Sequence, residues 1–224
     1  MRRVLPLFIV VIAMLAASAA PVAAQDIALL PKYGSIPKTA AQKDADKRFI
    51  AEIDRHFHND RKKGSIEAAK RGWSSLRQGN PNDAMRRFNQ AWLLDAGNGG
   101  ALWGMAAAQA SLAKSGEAIR LFAEAAPFMR DDIDFAVDHA RALGMIGAQT
   151  GNKALVSDAM ERFGQLSVRA PDHTLNLQNW AITLYYLGDY RGAWQKVKLA
   201  EKTSRAVEID KGFVAELKTK MPRP

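Results

Sequence analysis

Hydrophobic positions recur along the chain at the spacing of a helix. Ala84, Phe88 and Ala91 fall at i, i+4 and i+7, on one helical face. The same trio returns three times, as Ala118, Phe122 and Ala125, as Ala159, Phe163 and Leu166, and as Ala193, Val197 and Ala200. The steps between copies are 34, 41 and 34 residues. The pattern predicts a repeated helix, with a seven-residue insertion in the third copy.

A second helical stretch precedes each trio and carries small residues at a fixed separation. These pairs are Gly72 and Gly79, Ala106 and Ala113, Ala140 and Gly147, and Ala181 and Gly188. Small residues let two helices approach closely, so each copy is predicted to be a helix, a short turn and a second helix. The insertion falls within residues 148–157, where a longer loop or an earlier start of the second helix would absorb it.

The residues of the first copy are typical of one known repeat. Gly72-x6-Gly79-x4-Ala84-x3-Phe88-x2-Ala91 is followed by LDAGN at residues 94–98, and the fourth copy contains LGDYRGA at residues 187–193. This pattern resembles the tetratricopeptide repeat (TPR) over residues 65–98, 99–132, 133–173 and 174–207. It departs from the family where the proline that usually ends a repeat occurs only as Pro171. The resemblance implies an all-α, right-handed α-solenoid of about four repeats, a fold that binds partners in a concave groove.

The N-terminal segment is typical of an exported protein. Residues 1–24 contain two arginines, an apolar run from Val4 to Ala20 and small residues up to Ala24. We expect a secretory signal peptide cleaved between Ala24 and Gln25, hence a secreted, periplasmic protein. The alternative is an uncleaved membrane anchor, because the apolar run of 17 residues is at the short limit of a membrane span.

The segments on either side of the repeats predict an arm and two capping helices. Residues 25–38 are rich in proline and glycine and favour an extended arm or linker. In residues 39–64, Thr39 and Gln42 have the spacing of a capping box, and the following helix aligns Ala41, Ala45, Phe49, Ile53 and Phe57. This helix is expected to cap the first repeat, or else to lie in the groove or swing free. In residues 208–224, Ile209, Phe213 and Leu217 predict a helix that caps the last repeat.

Charge narrows the range of partners. The chain has a net charge of +9, of which residues 1–24 carry +2, residues 25–64 +3 and residues 196–224 +4, while residues 65–195 are neutral. Because the excess positive charge lies outside the repeats, it gives little support to nucleic acid as a ligand. Weak attraction of the flanks to an anionic lipid or envelope polymer is the alternative that the charge leaves open.

Candidate catalytic chemistry is sparse. The chain has no cysteine, no phosphate-binding glycine loop and no nucleophile-elbow or zinc-protease motif. His56 and His58 lie near a helix end beside Asp60, a weak candidate for a metal site, and His139 and His173 are isolated. We therefore predict no enzyme, no metal and no cofactor.

The expected groove is largely apolar and aromatic. Projecting the helical period onto the first helix of each copy selects Ala69, Trp73 and Arg77, then Trp103, Ala107 and Ala110, then Val137, Arg141 and Gly144, then Gln178, Ile182 and Tyr186. The candidate contact residues are Trp73, Arg77, Trp103, Arg141, Gln178 and Tyr186. The Lys and Asn of the family's carboxylate clamp are missing from these positions, so that mode of recognition is not expected.

Two functions follow from these features. The first is a non-catalytic adaptor or scaffold that binds a protein or peptide of the cell envelope in its groove. The second is a membrane-peripheral or envelope-structural protein that contacts anionic lipid or polymer through its basic flanks. For the groove, the open alternatives are that Trp73 and Trp103 are exposed, buried between repeats or covered by the helix of residues 39–57. Trp92, Trp180 and Trp194 are expected to belong to the core.

Overall fold

A computed structural model describes residues 26–224, and over this range the regular structure is helical, without strands. The predicted signal peptide, its cleavage site and the alternative membrane anchor lie outside the described residues. Within residues 26–224, every helix is too short or too polar to cross a membrane.

Ten α-helices and four short 3-10 helices follow one another in the described part of the chain. The α-helices are α1 (Ala40–His56), α2 (Arg61–Arg77), α3 (Pro81–Leu94), α4 (Gly99–Ser111), α5 (Ser115–Ala125), α6 (Ile133–Thr150), α7 (Lys153–Arg169), α8 (Thr174–Tyr186), α9 (Tyr190–Ala200) and α10 (Lys211–Lys220). The 3-10 helices are Ile27–Leu29, Pro31–Ser35, Ala126–Phe128 and Ala206–Glu208.

Adjacent helices pair as α2 with α3, α4 with α5, α6 with α7 and α8 with α9, and successive pairs stack on one another. The predicted all-α solenoid is confirmed by this arrangement. Phe88 illustrates why the helices approach so closely: its ring is fully buried, and a Cβ added at Gly72 or Gly104 would overlap it. Because α2 and α4 both present glycine to the same ring, one aromatic side chain joins two repeats.

The insertion lengthens both helices of the third pair. α6 continues to Thr150, past Met145, the equivalent of the last residue of α4, and α7 then begins at Lys153. The second helix does start early, because α7 begins six residues before Ala159 whereas α5 begins three before Ala118, but the extension of the first helix was not among the expectations. The turn has moved as well, since Gly147 lies inside α6 and Gly151, with φ of 68°, takes the left-handed conformation that ends the helix.

The N-terminal segment differs from the expected extended arm. Residues 27–29 form a 3-10 helix and residues 31–35 a tight turn, in which Lys32, Tyr33 and Gly34 have left-handed backbone angles; both pack on α3, with Ile27 and Pro31 buried. The Asn89 side chain of α3 donates hydrogen bonds to the backbone carbonyls of Ala28 at 2.9 Å and Leu30 at 2.8 Å. The segment is ordered because its apolar side chains and carbonyl groups both find partners on one helix.

The helix that follows, α1, makes a weak cap. It begins with the expected capping box of Thr39 and Gln42, which is confirmed. However, none of its residues is buried. At its C-terminal end Ile53 and Phe57 close on Gly64 of α2, where a side chain larger than hydrogen would overlap Ile53. α1 is thus attached to the first repeat mainly by its last turn.

The C-terminal helix packs more fully. Phe213 and Leu217 of α10 are buried against Trp194 and Tyr185 of the last repeat. The Trp194 indole also donates a hydrogen bond to the carbonyl of Met221, at 3.0 Å. The apolar end of the repeat stack is therefore covered by α10, as solenoid ends require.

Candidate functional site

Aromatic rings join the first helices of three successive repeats. Trp73 of α2 and Trp103 of α4 meet edge to face with centroids 4.8 Å apart, and Trp103 meets Phe135 of α6 at 5.8 Å. Both tryptophans are half-buried, a state between the exposed and buried alternatives of the sequence analysis. The contacts fix their orientation while leaving part of each ring accessible.

A carboxylate is held at the end of this aromatic row. The Trp103 indole donates a hydrogen bond to Asp138 of α6 at 3.2 Å. Burial raises the pKa of the Asp138 carboxyl, and the nearby Arg141 charge and the Trp103 hydrogen bond partly oppose this effect. Arg141, one helical turn further along α6, is exposed. Asp138 and Arg141 thus give this surface a hydrogen-bond acceptor and a cation about one helical turn apart.

Next to Asp138, a cavity of about 320 Å³ lies between α4, α5 and α6. Its apolar walls are Ala107, Ala110, Ala113, Phe122, Ala142, Met145 and Ile146, and its polar groups are Ser111, Ser115, Asp138, Arg141 and Gln149. Ile146 and Gln149 belong to the part of α6 that the insertion adds. No residue of α1 lines this cavity, so α1 leaves it uncovered. Mostly apolar walls with a few polar groups are typical of a small binding pocket.

Below the cavity, His139 is part of the core. It is buried and stacks on Phe122, with ring centroids 5.1 Å apart. Burial is the main reason that the pKa of His139 falls to about 4, and the positive charge of Arg162 acts in the same direction. The imidazole is therefore neutral near pH 7 and supports the cavity wall as an aromatic ring.

The remaining histidines lie elsewhere. His173 caps α8 by accepting a hydrogen bond from the backbone of Asn176, and its other ring nitrogen lies 3.0 Å from Asp134. It thereby ties the third repeat to the fourth. His56 and His58 are exposed where α1 ends. Within residues 26–224, no group of three or more metal-ligating side chains comes together.

Of the six predicted groove residues, three lie at the aromatic row and the cavity, Arg77 lies one helical turn beyond Trp73 on α2, and the other two lie on α8. Trp73, Trp103 and Arg141 lie along the aromatic row and the cavity. Arg77 is the exposed last residue of α2, and Tyr186 is exposed at the end of α8. Gln178 is buried.

The buried Gln178 has a different partner from the one expected. Its side-chain oxygen accepts a hydrogen bond from the backbone of Asp210 at 2.6 Å. Because Asp210 begins α10, the Gln178 amide serves to attach the C-terminal helix. It is therefore unavailable to a ligand in the groove.

Several cavity residues were missed by the sequence analysis. The 34-residue step from Trp103 selects Val137, which is buried, whereas the cavity is lined by the neighbouring face that carries Asp138, Arg141 and Met145. These three positions follow a helical spacing of i, i+3 and i+7. That spacing was the available signal. The expected face, Val137, Arg141 and Gly144, shares only Arg141 with it.

Comparison with known proteins identifies the architecture. No family model and no curated protein match the chain. Among solved structures, a thermophilic TPR protein of Thermus thermophilus is 17% identical, with a TM-score of 0.63 over 71% of this chain and 84% of the other. The MamA RS-1 ArsTM double mutant is 16% identical, with a TM-score of 0.49 over 72% of this chain and 93% of the other. The first of these two likenesses shows that the chain has the fold of the tetratricopeptide repeat proteins.

Proposed function

We propose that the protein is a non-catalytic adaptor that binds a segment of a protein partner at the cavity between α4, α5 and α6. The observation that carries the proposal is the joining of an apolar cavity to the accessible Trp73–Trp103 row. An apolar side chain of the partner fills the cavity, and its neighbouring peptide groups lie against the tryptophans. Arg141 favours an acidic group in the partner beside the apolar anchor.

The partner is placed in the cell envelope under the same proposal. The support is the N-terminal sequence, with its charged start, apolar run and small residues before Gln25. An exported protein meets its partner after export, so the partner is a periplasmic protein or the periplasmic part of a membrane protein.

In each basic flank, at least one arginine is paired with a carboxylate. Arg61 pairs with Asp54 at 2.7 Å, and Arg223 pairs with Glu201 at 2.6 Å. Cations that are already matched by carboxylates attract an anionic surface less strongly than free ones. Arg61 and Arg223 are therefore less available to an anionic surface, whereas the net charges of +3 and +4 already count their carboxylate partners and are unchanged.

The test is to block the cavity without disturbing the core. Ala110 is exposed and lines the cavity, so Ala110→Trp fills its mouth, and Ala123→Trp places the same ring at an exposed position of α5 away from it. Both variants and the parent chain are used to capture proteins from an envelope extract. We expect one protein to bind the parent and Ala123→Trp and to be lost, at least about tenfold, with Ala110→Trp.

Equal recovery of that protein by Ala110→Trp would refute the proposal. Binding to vesicles containing anionic lipid, weakened by salt and unaffected by Ala110→Trp, would instead support contact through the flanks. Far-UV circular dichroism of both variants controls for loss of helical structure.

A further inference from the structure

The arm, residues 26–38, is held on the solenoid by contacts that fit one particular segment. Asn89 binds two of its backbone carbonyls. Asp26 pairs with Arg86 of α3 at 3.0 Å, and Lys32 pairs with Glu124 of α5 at 2.6 Å. The docking surface thus matches a segment with an acid at one end, a base at the other and free carbonyls between them.

Helix α1, which links the arm to α2, packs only weakly on the repeats. The arm continues into α1, a helix about 25 Å long by its 17 residues, and none of these residues is buried. Little apolar area would therefore be exposed if α1 swung away from the first repeat. Most of the free energy needed to separate the arm and α1 from the repeats therefore comes from the contacts of the arm with α3 and α5.

The turn between α1 and α2 is strained. His58 and Asn59 have φ of 50° and 66°, in the left-handed region. Asparagine and histidine tolerate this region better than most residues do, but both would relax if the two helices opened. A short strained hinge between a detachable segment and its body is the setting in which identical chains exchange segments.

We infer that two copies of this chain exchange arms, so that residues 26–38 of each chain dock on α3 and α5 of the other. Exchange retains the contacts of Asn89, Arg86 and Glu124 with the arm, and it opens the strained turn. Since the two arms are identical, the second copy supplies a segment with the same matching acid, base and carbonyls. The resulting dimer is closed and symmetric, because each chain gives and receives one arm.

The absence of cysteine from the sequence makes a direct test possible. One full-length chain carries Asp26→Cys and a second carries Arg86→Cys, at the two ends of an exposed ion pair that contributes little to docking. Both are exported, purified, mixed, left to exchange and treated with a short bis-maleimide reagent. We expect a covalent dimer that contains one chain of each kind, distinguished by mass.

A chain carrying both cysteines provides the opposing measurement. If this chain is cross-linked internally and the mixture yields no dimer, the arm docks only on its own body and the inference is wrong. If neither sample is cross-linked, the arm does not dock on Arg86 in solution, which also overturns the inference.

Two further substitutions test whether a cross-linked dimer forms by exchange of arms. Adding Asn89→Ala to the Arg86→Cys chain removes two hydrogen bonds to the arm from the closed chain and from the exchanged dimer alike, so the share of dimer should stay within about threefold. Asn59→Gly relieves the closed turn and should reduce the dimer by about threefold or more. Lys47→Ala, which affects only an exposed pair with Asp44 within α1, should change nothing. A dimer that is unchanged by Asn59→Gly would overturn the inference, because exchange is inferred to open that turn.

Discussion

The two ends of the repeat stack are closed differently, although their sequences carry the same signal. Phe49 and Ile53 in α1 and Phe213 and Leu217 in α10 all follow a four-residue apolar spacing. α10 buries both of its residues in the core of the last repeat, whereas none of the residues of α1 is buried. At the N-terminal end the arm, rather than α1, makes the specific contacts.

The difference lies in the surfaces that receive the two helices. The last repeat offers α10 the large rings of Trp194 and Tyr185. The first repeat offers α1 a helix that begins Arg61-Lys62-Lys63 and leaves the side chain of Ile66 half exposed. An apolar spacing therefore predicts that a helix forms and which face it would bury, but burial also needs an apolar neighbour.

The largest effect is expected at the C-terminal end. Leu217→Ala removes a fully buried side chain and should lower the free energy of unfolding by about 3 kcal/mol. Denaturant unfolding followed by far-UV circular dichroism measures this loss. The exposed neighbour Lys218→Ala is the control, with little change expected. A loss below about 1 kcal/mol for Leu217→Ala would mean that α10 covers the stack less tightly than its burial indicates.

A smaller and local effect is expected for the arm. Lys32→Ala removes the ion pair with Glu124, whose partners are largely shielded from solvent, and should weaken arm docking by about 1 kcal/mol. Hydrogen exchange of residues 27–36 should become about fivefold faster while the free energy of global unfolding stays within about 0.5 kcal/mol. Lys47→Ala serves as the matched control. A global loss as large as that of Leu217→Ala would show that the arm is part of the cooperative core.

The smallest effect is expected on the face of α1 that the sequence assigned to packing. Ala45 is exposed, so Ala45→Glu should change the free energy of unfolding by less than about 0.5 kcal/mol. Thermal and denaturant unfolding of the variant measure this directly. A loss above about 1 kcal/mol would contradict the difference between α1 and α10, because it would mean that this face of α1 packs against the repeats in solution.

Much of the fold could be predicted from the sequence because the interactions that define it repeat. Ala84, Phe88 and Ala91 recur with a fixed step, and a helical hairpin is specified within each copy. The fold class is confirmed on this basis. The arm was not predicted in its docked form, because Asn89 contacts carbonyls about 60 residues earlier in the chain and backbone groups leave no pattern in a sequence.

The candidate site was predicted only in part for a related reason. The aromatic residues Trp73 and Trp103 occupy the first helices and were found by periodicity. The cavity depends on the rotation of α6 about its axis, which decides whether Val137 or Asp138 faces outward. Helical spacing defines a face to within about one residue, and one residue is a rotation of about 100°. Neighbouring helices fix that rotation.

The lengthened helices α6 and α7 show how one repeat can change in length while its neighbours keep their packing. Seven residues are about two helical turns. Divided between the two helices of one hairpin, they move its tip outward while the following helices keep their rotational phase, so α8 still packs on α6. A repeat protein can thus lengthen one helical hairpin, and add cavity-lining residues such as Gln149, without changing how its other repeats pack.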